Sequence, residues 1–360
     1  MQAFPFDEMT PLERKRAMAA GKSFDRFPCV PFMGDLKRRL IGAGDWEIWN
    51  EADAMVRAER AAFLRWGYDR IAVGPNTRTI AGAIGSSLPF PLQSQRDGGS
   101  ITGTVLGAIQ AADPFEIARS ACFAPFLQAI DRLVCDFGDT VPVNASIGGP
   151  ATIASQVLGV EAFLRLCRRD RSLVQALLRL VASVQGHCID KLAAAGATIA
   201  VADPVANPAL IGPGLYEELV FPVTMELCDY ARRKCGEGVA LHMCGKTECI
   251  WGLFARYPLG ELSVDEAVDL DGAVSALGDS FALAGNVDPV GAMLMGGRRE
   301  ISQEVQRCIR AGRRSKKGFV LATGCDIPFN AGFEKIDMLM EECRLQGLGQ
   351  EPWRTVPEKE

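Results

Sequence analysis

The sequence predicts an α/β protein folded as a single (β/α)8 barrel across residues 1–360, with an N-terminal helical extension and a small insertion near 79–104. Three observations carry that expectation. Eight short apolar runs recur along the chain, segments of helical period separate the later ones, and the runs are apolar almost throughout. Near-continuous apolar strands alternating with helices argue for parallel pairing covered on both faces. A chain of 360 residues fits one barrel without dividing into two domains. An open doubly wound sheet is the second choice, but no G-x-G-x-x-G opens a helix after the first strand, so its dinucleotide-binding form has no support.

Taken in order, residues 10–21 read as an amphipathic helix that starts at Thr10-Pro11 and stops at Gly21. The eight runs follow: "PCVPFM" (28–33), "DRIAV" (69–73), "TVPVNASI" (140–147), "ATIAVAD" (197–203), "GVALHMC" (238–244), "GELSVDE" (260–266), "FALAGNVD" (281–288) and "GFVLATGC" (318–325). Helical patterns occupy 170–195, 215–235, 248–257, 270–277, 299–313 and 332–345. The Gly, Pro and Ser of 79–104 break the rhythm and suggest a short hairpin over one mouth of the barrel. The tail "GQEPWRTVPEKE" reads as loosely ordered.

Composition removes several function classes. The net charge of -5 and the absence of a long basic cluster argue against nucleic acid, which needs a concentrated positive surface. The N-terminus lacks an apolar core of signal-peptide length, and no window reads as a membrane span of roughly 18 apolar residues. The expected location is cytoplasmic. Twelve cysteines in a chain this large are expected to be reduced, most acting as small core residues.

Parallel barrels collect their chemistry at the C-terminal ends of the strands. The fifth run delivers His242 and Cys244 there, and the eighth delivers Cys325. Positions i and i+2 of an extended segment point the same way, so His242 and Cys244 can clasp one ion. Cys325 reaches them if runs five and eight face each other across the mouth. One imidazole and two thiolates select zinc, and three protein ligands leave a fourth position open, as in catalytic sites. Asp265 and Glu266 end the sixth run, as a displaceable fourth ligand, a support behind the ligands, or a helix cap. Asp203 and Asp288 each precede a proline, as an N-cap or as a substrate-facing acid. The second histidine, His187, and Cys235, Cys249 and Cys308 sit in helical contexts and read as packing.

Four segments, "LHMCGKTECI", "LSVDEAVDL", "GNVDPV" and "VLATGCDIPFN", together with "GKSFDRFPCVPF", "IGGPATIASQVLGVEAFLR" and "DPVANPALIGPGLYEELVFPV", give the chain a resemblance over nearly its whole length. It resembles the uroporphyrinogen decarboxylase superfamily, and within it the zinc-dependent, corrinoid-linked methyltransferases. The resemblance implies a (β/α)8 barrel in which His242, Cys244 and Cys325 bind zinc, while Asp265 holds the fourth position until substrate displaces it. The family typically has Glu where this chain has Asp265, which leaves Asp265 and Glu266 both open as the reaching carboxylate. The Arg-Gln-Ala-Gly-Arg stretch of the decarboxylases is replaced by "PFMGDLKRRLIG", which argues against uroporphyrinogen decarboxylation.

Two chemistries remain implied. A methyl group passes from a small donor, such as a methoxylated aromatic in an O-demethylation, to the cob(I)alamin of a corrinoid protein. Alternatively it passes from a methylated corrinoid protein to a thiol of the coenzyme M type. No cobalamin motif appears in the chain, so the corrinoid is expected on a partner that docks over the mouth. The strand ends supply no basic residue beyond Lys246, which favours an apolar donor over a sulfonated thiol. A non-catalytic zinc barrel acting as a scaffold is the reading outside this branch.

Overall fold

A computed structural model describes residues 7–88, 101–119 and 123–347. All eight apolar runs form strands: β1 (Cys29–Val30), β2 (Ile71–Asn76), β3 (Val143–Gly148), β4 (Thr198–Ala202), β5 (Val239–Met243), β6 (Leu259–Val264), β7 (Ala282–Val287) and β8 (Phe319–Thr323). They pair in parallel around one sheet in the order β1-β8-β7-β6-β5-β4-β3-β2. The ring closes between β1 and β2 through Asp69, the residue two before β2. Its N–H donates to the Cys29 carbonyl at 2.8 Å, and its Oδ2 accepts from the Cys29 N–H at 2.6 Å.

Alternation along the strands separates an outer core from an inner shaft. In β5, Val239, Leu241 and Met243 are buried beneath the helices, while Ala240 and His242 face inward and stay partly accessible. The same pattern runs through β4, where Ile199 and Val201 are buried and Thr198, Ala200 and Ala202 are not. In these two strands the inner residues are the more accessible because they line an open cavity.

The helices lie where their apolar period places them. The first spans Pro11–Ala19 and begins with a reciprocal capping box, Glu13 N–H to Thr10 Oγ1 at 3.2 Å and Thr10 N–H to Glu13 Oε2 at 2.7 Å. It crosses the N-terminal face of the barrel, where Leu12 N–H donates to the Thr140 carbonyl. The segment expected over 215–235 starts with a wide π turn, Tyr216–Val220, before the α-helix Phe221–Cys235. Pro222 has no N–H to give, so the ordinary ladder is interrupted there.

Two expectations are corrected. The described parts of 79–104 are helical rather than a hairpin: Arg78–Ser87 and Ile101–Ala111 are helices, and residues 89–100 lie outside the described residues. Ile80, Ala81, Ile84 and Leu88 bury one face, a helical spacing that the surrounding glycines and serines obscure. The helix Arg171–Ala194 is long and apolar enough to cross a membrane, contrary to the window reading. Its apolar residues are those of a barrel helix, with Leu177, Leu178, Val181 and Ile189 fully buried against its neighbours. The tail at 349–360 lies outside the described residues.

Candidate metal centre

His242 is the fourth residue of β5 and Cys244 follows its end, so both side chains project into the barrel mouth. Cys325 stands just beyond the end of β8. The three donor atoms lie within 4.8 Å of one another, and no other group of three such residues meets that condition among the described residues. His242 Nε2 is 3.3 Å from Cys244 Sγ, and Cys244 Sγ is 3.8 Å from Cys325 Sγ. Tetrahedral zinc at its usual bond lengths separates two sulfurs by about 3.8 Å, and a sulfur and a nitrogen by about 3.5 Å. The donor set and its spacing therefore fit that ion.

Neighbouring groups hold the donors in position. His242 Nδ1 is 3.0 Å from Ser263 Oγ, the residue directly across from it in β6. That contact aims Nε2 at the two sulfurs. Phe32 meets the imidazole edge-on, with ring centroids 6.0 Å apart. Asn207 Nδ2 donates to the Cys244 carbonyl. Gly245 takes a positive φ of 75°, and a Cβ there would collide with the Asn207 amide, so this turn requires glycine. Gly324 answers the same need on the other side, because a Cβ would strike the main-chain nitrogen of Glu266. The ends of β6 and β8 are thereby pressed together beside Cys325.

The thiols differ in proton affinity. Cys325 is held down to about 4 by its hydrogen bond with Cys244 and by His242, whereas Cys244 is pushed up by the same shared contact and by burial. One proton thus sits between two sulfurs, the situation in which a cation replaces it readily.

The other candidates are placed differently. Asp265 is 6% exposed at the end of β6, its Oδ1 accepting from Ala267 N–H at 2.9 Å while Asn286 Nδ2 donates to its carbonyl at 3.0 Å. It is outside the mutual 4.8 Å group, though its charge bears on Cys244. Glu266, its neighbour, has its carboxyl pushed up by burial and by Asp265. Asp203 caps the helix Pro150–Leu158, accepting from Thr152 N–H and Oγ1 at 2.7 Å each and from Ala151 N–H at 3.2 Å. Asp288 accepts from Val290 and Gly291 N–H at 2.8 and 2.7 Å. Both make capping contacts, and neither is among the residues lining the cavity beside the cluster. His187 lies in the helix Arg171–Ala194 against Phe115, and Cys249 is exposed rather than packed. Eleven described cysteines are free thiols.

The cluster opens onto a cavity of about 350 Å³ inside the barrel. Sequence reasoning missed most of its wall. Ser263 was among those missed, although its place two residues before Asp265 in the sixth run was a usable signal. Lys37 and Arg70 gave no such signal: both line the cavity, yet neither lies at the C-terminal end of a strand. Asp326 also faces it, packed against Gly34, with its carboxyl raised by its protein surroundings and by Cys325. Lys246 is exposed and does not line the cavity.

Comparison with known proteins agrees with this architecture. A methylcobamide:CoM methyltransferase of Methanosarcina mazei is 25% identical over 326 residues, covering 89% of this chain and 93% of that protein. One of Methanosarcina barkeri is 24% identical over 339 residues, covering 92% and 97%. The solved structure of a methyltransferase from Methanosarcina mazei superposes with a TM-score of 0.79 at 22% identity, over 94% of this chain and 99% of that one, and so shares its fold. The family model for uroporphyrinogen decarboxylase (URO-D) matches residues 10–345, from the capping box of the first helix to the last described helix, and on that span the chain belongs to the uroporphyrinogen decarboxylase family.

Proposed function

We propose that this chain is a zinc-dependent methyltransferase that moves a methyl group between a heteroatom of a small molecule and the corrinoid of a partner protein. The observation that carries the reading is the convergence of His242, Cys244 and Cys325 at the mouth of an accessible cavity. Zinc, when bound, supplies Lewis acidity that stabilises a thiolate or phenolate at neutral pH. Ser263 orients the imidazole, and the Cys325 thiol already favours its anion. Asp265 would be the carboxylate able to complete the ligand set, with Glu266 the alternative one residue on. The helix-capping contacts of Asp203 and Asp288 support structural roles for both.

The names of the Methanosarcina relatives support a thiol as the small molecule. The cavity supports an uncharged one, because both of its cations are matched by carboxylates, Lys37 by Glu59 and Arg70 by Glu261. A methoxylated aromatic donor and a neutral thiol acceptor both satisfy that condition. The corrinoid arrives on a separate protein over the mouth.

Cob(I)alamin and methylcob(III)alamin differ in visible absorption, so both directions can be followed with a corrinoid protein present. Zinc-loaded protein is expected to consume cob(I)alamin with methoxylated aromatics, or methylcobalamin with thiols. Absence of zinc-dependent turnover in both directions, alongside decarboxylation of uroporphyrinogen, overturns the proposal.

A further inference from the structure

Barrel interiors of this type are normally filled by bulky branched side chains. Here Ala72, Ala200, Ala202, Ala240 and Ser146 line the space instead, and the cavity runs down from the metal cluster between them. It ends at an ion pair that spans the barrel. Arg70 Nη2 donates to both oxygens of Glu261, at 2.8 and 2.7 Å. The two side chains are 13% and 14% exposed. A second cavity of about 210 Å³, beneath the helix Pro11–Ala19, shares Val30, Arg70, Asn144, Ala240 and Glu261 with the first. The ion pair is the partition between them.

Register fixes the depth of this floor. Ala240 stands across from Glu261, and His242 across from Ser263. The pair is thus two strand residues below the imidazole, about 7 Å along the strand. The floor retains unused donors. Arg70 Nε and Nη1, and Asn144 Nδ2, have no partner among the described residues, while Asn144 Oδ1 accepts from Thr198 Oγ1.

We propose that Arg70, Glu261 and Asn144 form a self-neutralised polar seat for the far end of an elongated, uncharged substrate. The inference rests on the function proposed above, in which the substrate's heteroatom lies at His242, Cys244 and Cys325. A hydroxyl or amide on a stem of a few carbons can donate to a Glu261 oxygen and accept from Arg70 without changing the charge of the floor. A sulfonate or carboxylate has to compete with Glu261 for Arg70, which leaves two anions on one cation in a recessed site. Glu261 therefore selects against acidic tails, and it does so by repulsion rather than by loss of contact.

The test uses the full-length protein loaded with cobalt(II), whose sulfur-to-metal absorption reports thiol binding without turnover. Alkanethiols of two to five carbons, ending in hydroxyl, amide or sulfonate, are titrated at each length. At the best length the neutral tails are expected to bind about tenfold tighter than the sulfonate. Glu261→Gln is expected to tighten the sulfonate and reduce the gap to about threefold or less. Should that variant melt too low to assay, Arg70→Gln/Glu261→Gln, which removes both charges together, is expected to abolish the discrimination. The unsubstituted protein alone already decides much: sulfonates binding as tightly as neutral tails overturns the seat. An unchanged gap in Glu261→Gln overturns it as well. In either case the metal-site reading survives, because the thiols still perturb the cobalt. If no thiol perturbs it, that reading fails and the seat with it.

Discussion

At the scale of the residue, the proposed centre makes demands that single substitutions can meet or break. Cys325 is 81 residues from Cys244 in sequence, yet their sulfurs are 3.8 Å apart. Purified protein is expected to carry about one zinc per chain, and Cys325→Ser to lose most of it, while Cys249→Ser keeps its metal. Metal analysis of the three proteins decides this, and full retention by Cys325→Ser removes that residue from the centre. Ser263 touches only the far nitrogen of His242, so Ser263→Ala is expected to leave the ligands in place and to weaken zinc about 10- to 100-fold. Competition with a chelator measures that loss, and unchanged affinity shows that the tautomer is fixed by something else. The ligand residues were legible because i, i+2 geometry and strand ends are properties of sequence. Arg70 and Glu261 were not, because their meeting depends on which strands lie opposite each other across a closed ring.

At the scale of the element, strands and helix caps are linked through Asp203. This carboxylate directly follows β4 but caps the helix Pro150–Leu158, which follows β3. Burial raises it to about 6 despite the three donors that favour its anion. The folded chain therefore holds this proton over a pH range where the unfolded chain, with an ordinary value near 3.8, has released it. More protons bound in the folded state means that stability falls as pH rises, here between about 4 and 6, by at most about 1.4 kcal/mol per pH unit. Urea unfolding between pH 4 and 7 is expected to show that slope, and Asp203→Asn to lack it while being less stable at pH 4. A variant with the same slope as the parent assigns the titration to another group. All eight strands were legible because β-branched, apolar runs bounded by turns leave few alternatives. The helices Arg78–Ser87 and Ile101–Ala111 were not, since glycine and serine lowered their apparent propensity while Ile80 and Ile84, and Val105 and Ile109, carried the buried face.

At the scale of the whole molecule, the barrel carries the proposed metal centre at one end and is tied shut at the other. The seam between β1 and β2 is held by charge. Asp69 accepts from Arg14 and from Arg26, Arg14 also binds Asp25, and Arg26 also binds Asp7, which meets Arg344 from the last helix. The side chains of Arg14, Arg26 and Asp69 are 0%, 2% and 3% exposed, so the network is far from water and weakly screened. One residue thus joins both ends of the chain to the gap in the ring. Removing its charge leaves two buried guanidinium groups short of an anion, a loss of about 3–5 kcal/mol. Asp69→Asn is expected to lower the free energy of unfolding by that amount. By contrast, Glu161→Gln, which breaks the Arg165–Glu161 pair at 65% and 80% exposure, is expected to cost less than about 1 kcal/mol. Urea denaturation of the three proteins gives both numbers. The folded Asp69→Asn protein is expected to retain its zinc, because the metal donors sit at the opposite, C-terminal ends of the strands. Zinc lost under conditions where that variant is still folded would mean that closure at the seam also shapes the mouth, and the division between a structural face and a chemical face would fail.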